Sequence, residues 1–198
     1  MKINPKEITG NWTFGWALDV HTLSSIPIGP NEFGHMQYDT TYSEIGEAVF
    51  KLKYRNDKSQ VDIIAQVVTD FIKSKPELSD ICAICATLPS DTSRAFQPVV
   101  EIAKIIGSKC GIAVPLDYLQ KIKQTPMLKN EIDSQKRREA LQGAFLIADG
   151  RYAGKHVLVF DDLYRSGETL KAICETFVSQ GKVGKVSVIT ATQTRSRR

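Results

Sequence analysis

The stretch "HVLVFDDLYRSGETL", His156 to Leu170, decides how the rest of the chain is read. Four apolar residues, Val157 to Phe160, run straight into two adjacent carboxylates, Asp161 and Asp162. A polar Ser-Gly segment follows, and a helical pattern begins at about Thr169. A continuous apolar run bounded by turn residues reads as a strand buried on both faces, as in a parallel sheet. In such sheets ligands bind beyond the carboxyl ends of the strands, which is where this Asp-Asp pair falls.

Outward from this stretch, strands and helices alternate. "DICAICATL" reads as a buried strand and "DTSRAFQPVVEIAKIIGSKCG" as a helix. That helix has Asp91 or Ser93 as cap, Gly107 or Gly111 near its end, and Pro98 in or before its first part. "IAVPLDYL" is a short strand or turn, "DSQKRREALQ" a polar helical segment and "GAFLIAD" a strand. "ETLKAICETFVSQG" is a helix closed by Gly181, and "KVSVITAT" is a last strand. Upstream, "TYSEIGEAVFKLKYRND" has the period of an amphipathic helix with Ser43 as cap, and a second helix runs from about Gln60 to Ile72. The first third, rich in aromatics, Gly and Pro, reads as short strands or loops. The expected fold is therefore α/β, a parallel twisted sheet flanked by helices. Residues 1–42 form a loop-rich segment and residues 43–198 the main domain.

Composition narrows the function. A chain of 198 residues is one domain or slightly more, and its 42% hydrophobic and 24% charged residues are those of an ordinary globular protein. The net charge of +4 favours anionic ligands and does not require nucleic acid. "MKINPKEITGNW" lacks the apolar core of a signal peptide, and no apolar run approaches the ~18 residues of a membrane span. Cys82 and Cys85 have C-x-x-C spacing, but in a strand they point to opposite faces and cannot share one metal. They read as small buried hydrophobes, which fits a reducing cytoplasm. "GRYAGKH" has the wrong glycine spacing and precedes its strand, so it is a turn and not a phosphate loop.

The chemistry of the Asp-Asp turn is specific. Gly167 permits close backbone approach, and Ser166, Glu168 and Thr169 offer amides and hydroxyls at a helix N-terminus. Such a terminus suits a phosphate, and Arg165 adds positive charge at its rim. Asp161 and Asp162 can accept hydrogen bonds from hydroxyls or hold Mg2+ with its water shell. A sugar phosphate with adjacent hydroxyls satisfies both halves. An acidic pair that merely caps the helix and complements its dipole is the alternative.

"VLVFDDLYRSGET" closely resembles the signature of type I phosphoribosyltransferases, with Ser166 where the first Thr is usual. "KLKYRNDKSQVDIIAQVV", "SRAFQPVVEIAKIIG" and "KQTPMLKNEIDSQKRREALQGAFLI" resemble segments of the competence-protein-F-like branch, with Ala95 in place of Gly. That branch usually carries a zinc ribbon with two Cys pairs; here the one C-x-x-C lies in the first core strand. The resemblance implies a domain that binds 5-phosphoribosyl 1-diphosphate (PRPP) with Mg2+. Pyrophosphate would be displaced at ribose C1 by a nucleophilic base or amine. It assigns Asp161 and Asp162 to catalysis at the ribose hydroxyls and the metal, and Arg165, Ser166, Gly167, Glu168 and Thr169 to the 5′-phosphate. Ser90, Asp91 and Arg94 would hold pyrophosphate. Lys121, Lys123 and Lys129 would sit on a lid, Gln120 to Ala140. A small N-terminal hood would choose the acceptor, and a homodimer is compatible with this reading. Tyr54 and Arg55 read as a solvated helix end. The alternative function is a PRPP-fold sensor without catalysis, or a nucleic-acid-associated accessory protein; the basic tail admits nucleic acid without favouring it.

Overall fold

The computed structural model describes residues 1–89, 95–123 and 139–195. In chain order its strands are β1 (Lys6–Glu7), β2 (Phe14–Ala17), β3 (Thr22–Pro30), β4 (Met36–Tyr42), β5 (Ile81–Ala86), β6 (Leu119–Lys121), β7 (Phe145–Ile147), β8 (His156–Tyr164) and β9 (Lys185–Gln193). The α-helices are α1 (Glu44–Tyr54), α2 (Gln60–Lys73), α3 (Pro98–Cys110) and α4 (Glu168–Ser179). Among the described residues the central sheet runs β1-β2-β9-β8-β5, parallel throughout except for the β1 edge.

The apolar run in β8 follows from its central place. Leu158 and Phe160 face one core with β9 residues Ile189 and Ala191 and the apolar faces of α1, α2 and α3. Val157 and Val159 face a second core with Val186 and Val188, closed by Ile173, Cys174 and Phe177 of α4 and by β6 and β7. Both faces of the strand are covered, so both sets of alternating side chains are apolar. Cys82 and Cys85 are not sent to opposite faces as expected: β5 shifts register between Ile81 and Ala83, and the partly exposed Cys82 packs against the same core as the buried Cys85.

Local signals set the helix boundaries. Ser43 caps α1: its Oγ accepts from Gly46 N at 3.0 Å and donates to Val20 O at 2.5 Å. Gly46 lets α1 lie against the chain near His21, since a Cβ there would come within 2.0 Å of the His21 carbonyl oxygen. The α3 helix begins later than the sequence suggested. Pro98 is its first residue and Gln97 precedes it, so neither Asp91 nor Ser93 is the cap. A left-handed Gly111 ends it.

One further expectation is corrected. The "GAFLIAD" segment does not join the main sheet: β7 pairs antiparallel with β6 in a separate two-stranded sheet. It is three residues long and exposes Leu146, so it lacks the two-sided burial of a parallel strand. Residues 1–42 carry short strands, as their composition suggested. β1 and β2 extend the main sheet through β9, whereas β3 and β4 form a separate hairpin.

At the amino-terminal end of β8, His156 ties three elements together. Its Nδ1 pairs with Asp80 before β5, and its Nε2 lies 2.8 Å from Ser187 Oγ on β9. Lys185 Nζ reaches the other Asp80 oxygen at 2.9 Å. His156 and Ser187 are buried, so this network secures the end of the sheet remote from the Asp-Asp pair.

Candidate functional site

Asp161 and Asp162 are not at the end of β8 but inside it. The strand continues to Tyr164 because β9 supplies ladder partners: Asp161 lies beside Thr190 and Leu163 beside Thr192. Strand alternation then sends the two acids to different neighbours. Asp162 Oδ2 forms an ion pair with Lys53 Nζ of α1 at 2.7 Å. Its backbone carbonyl accepts from Thr192 Oγ1 at 2.9 Å, and that hydroxyl is also 3.3 Å from His21 Nδ1. Asp161 accepts from the Thr87 hydroxyl after β5 and from the Asp162 amide at 2.9 Å.

The charges respond to this crowding. Burial, and then the Asp162 charge, push the Asp161 carboxyl up to about 7; Thr87, the Asp162 amide and Lys53 pull against them. Burial alone would lower Lys53, but the Asp162 carboxylate outweighs it and leaves the ammonium above its ordinary value. Burial holds His21 below its ordinary value, with Asp162 drawing it up and Lys53 and Arg165 pressing it down.

Beyond β8 the chain turns through Arg165, Ser166 and Gly167. Gly167 has φ 75°, the left-handed region, and a Cβ there would come within 2.8 Å of the Tyr164 ring. It is the cap position of α4, which carries no side-chain cap bond. The alternative role for the acids, capping this helix, is therefore not the role they have. The first helical bond is Lys171 N to Gly167 O at 2.8 Å, so the amides of Glu168, Thr169 and Leu170 precede it and face the turn. The Glu168 side chain is buried and paired with Lys171 at 2.8 Å.

Lys53 and every residue from Asp161 to Leu170 line one pocket of about 220 Å3. It brings together both acids and all five turn residues singled out from the sequence. A larger groove of about 660 Å3 lies along α2, lined by Met1, Ile3 and Phe71. Its Gln66 is bonded to Asp70 and to Lys109, so these polar groups are spent on one another. The other expected ligands, Ser90, Asp91, Arg94 and Lys129, lie outside the described residues, as does most of the expected lid. Lys121 sits on β6 and Lys123 follows it, neither lining the pocket. Tyr54 is exposed, and Arg55 lies over the Phe50 ring at 5.7 Å, as a helix end in solvent.

The donor set bears on a metal. Two hard carboxylates line one pocket, and no cluster of three or more His, Cys, Asp or Glu side chains occurs among the described residues. Such a pair does not make a complete cage for Ca2+ or Zn2+. It fits Mg2+, which is held by one or two carboxylates and takes its remaining ligands from water and phosphates.

Sequence reasoning passed over Lys53, Thr87, His21 and Thr192. Lys53 alone had a signal, since it lies in the "KLKYRND" segment. The other three reach the site through sheet register.

The profile of the phosphoribosyl transferase domain matches residues 92–198, and the chain belongs to that family. More than half of the chain is covered, including the whole Asp-Asp turn. No curated protein sequence matches the chain. Among solved structures it is similar to a hypoxanthine phosphoribosyltransferase from Staphylococcus aureus, at 15% identity over 70% of this chain and 65% of that one, TM-score 0.41. It is similar to the UMP synthase of Leishmania donovani, at 14% over 83% and 27%, TM-score 0.40. It is also similar to the adenine phosphoribosyltransferase of Leishmania tarentolae, at 10% over 98% and 100%, TM-score 0.41. The chain thus spans 65% of the first of these proteins and 27% of the second. Membership rests on the profile match.

Proposed function

We propose that the protein is a phosphoribosyltransferase that binds PRPP with Mg2+ and transfers the 5-phosphoribosyl group to a base or amine, releasing pyrophosphate. The observation that carries this is the single pocket shared by Asp161, Asp162 and the turn Arg165–Thr169. The turn amides donate to the 5′-phosphate at the start of α4, with Arg165 at the rim. Gly167 keeps the backbone close enough for that contact. Asp161 and Asp162 accept from the ribose hydroxyls and fix the sugar against the sheet edge. Their negative charge also favours the oxocarbenium-like state that develops as the C1–O bond to pyrophosphate breaks. Mg2+, when bound, neutralises part of the diphosphate charge.

The finer features belong to the same reading. The β3–β4 hairpin is the hood over the acceptor. Its Tyr42 ring stacks on Phe50 at 4.8 Å and meets His21 at 5.5 Å, so the hairpin root borders the site. The competence-protein-F-like branch is supported by its Lys-Tyr-Arg segment, which here supplies the Lys53 contact to Asp162. Free thiols, two of them packed in the cores, fit a reducing cytoplasm. Among the described residues no helix is long and apolar enough to cross a membrane.

Pyrophosphate release with PRPP, Mg2+ and a panel of bases and amines tests the proposal. Release with at least one acceptor is expected. PRPP binding without release for any acceptor would support a sensor in place of an enzyme.

A further inference from the structure

In the free protein the Asp162 carboxylate already has a cation: the Lys53 ammonium, 2.7 Å away. The Asp162 side chain is 8% exposed and that of Lys53 34%, so the pair sits where the pocket meets solvent. Lys53 comes from the last turn of α1, far from Asp162 in sequence. Its position is fixed by the Ser43 tie to Val20 and by the close approach that Gly46 allows. Both acids line the same pocket as Lys53, and Lys53 acts on Asp161 as well. The contact is therefore built into the fold.

From this contact we infer that Lys53 is a positioning residue that makes metal binding conditional on the sugar phosphate. Its ammonium occupies the cation position at Asp162 and keeps a free divalent ion out. A divalent ion that arrives on a sugar diphosphate brings its own anionic ligands, and Lys53 is released toward those anions as the ribose hydroxyls and the metal replace it. With the Lys53 ammonium in direct contact, the Asp162 carboxylate is already neutralised, so a bare metal ion gains little there. This inference rests on the proposed assignment of Asp161 and Asp162 to the ribose and its metal.

Mn2+ binding to the full chain, read by electron paramagnetic resonance with no sugar phosphate present, tests it. Lys53→Met preserves length and removes the charge; it should bind Mn2+ about tenfold more tightly than the wild type, or more. Lys53→Arg keeps the charge and should show no gain. Asp162→Asn in the Lys53→Met background should abolish the gain. If Lys53→Met does not fold, by thermal melting, Lys53→Gln takes its place with the same expectation. Unchanged Mn2+ affinity on loss of the charge, or an equal gain with Arg, overturns the role of Lys53. Calorimetry with PRPP on the same proteins separates this from the functional reading. Absence of PRPP binding in all of them overturns that reading, while the Mn2+ comparison still decides what Lys53 does.

Discussion

Asp161 and Asp162 are adjacent on β8, yet one is held by Thr87 at the end of β5 and the other by Lys53 at the end of α1. The neighbouring strand and the first helix are thus fastened to the same two residues. Of the two, only Asp162 has a cation in direct contact among the described residues. Asp161 is left with burial and a like charge beside it, and its carboxyl rises toward neutrality for that reason.

The raised Asp161 has a consequence for stability. A carboxyl whose folded value is about 7, against an ordinary value of 3.8, favours the folded state while it is protonated. That contribution is fully present below about 4 and is lost as pH rises through about 7. Asp161→Asn resembles the protonated form and escapes the loss. It should melt about 3–6 °C above the wild type at pH 8 and close to it at pH 4. A variant less stable at pH 8 would show that Asp161 is not strained by its surroundings.

The network at the other end of β8 has the opposite sign. Hydrogen bonds from His156, and then Lys185, hold Asp80 down at about 2. Its contribution is present above the ordinary carboxylate value and is lost as pH falls from about 4 to about 2. Asp80→Asn should lower the melting temperature by a few degrees at pH 7, and should flatten the decline between pH 4 and pH 2. Identical melting profiles for the two proteins across that range would contradict this.

Gly46 inverts a familiar rule. Gly→Ala inside a helix normally stabilises by about 0.5–1 kcal/mol. Here the added Cβ would meet the His21 carbonyl at 2.0 Å. Gly46→Ala should therefore destabilise by about 1–3 kcal/mol in denaturant unfolding, as overpacking does. It should also weaken PRPP binding, because α1 carries Lys53. A stabilised variant would mean that α1 has room to shift.

Gly167→Val separates phosphate from sugar recognition. It forces a branched side chain into left-handed backbone and against the Tyr164 ring. Affinity for PRPP and for ribose 5-phosphate should fall together, by about tenfold or more. Asp162→Asn should reduce PRPP affinity and spare inorganic phosphate. Equal losses for every ligand in both variants, in calorimetry, would point to misfolding in place of ligand contacts.

Much of this was legible because the decisive signals are local. The apolar runs of β5, β8 and β9 announce two-sided burial, and Ser43 announces a helix start. Other features depend on partners distant in sequence. "FGWA" has no period that marks a strand; β2 exists because β9 offers it a parallel edge. The length of β8 was misjudged because two acids look like a strand end, whereas Thr190 and Thr192 carry the ladder past them. Lys53 looked like one more lysine on a helix, and only the docking of α1 turns it toward Asp162. Gln97 and Pro98 could have corrected the start of α3, since Pro is favoured in the first helical position.

Calorimetric titration of the protein with PRPP, with and without Mg2+, bears most directly on the assignment of the Asp-Asp turn. Binding in the micromolar to millimolar range that requires Mg2+ is expected, falling about tenfold or more in Asp161→Asn and Asp162→Asn while both variants stay folded. No binding to the wild type, or an affinity unchanged by either substitution, would contradict the assignment of this pocket to PRPP.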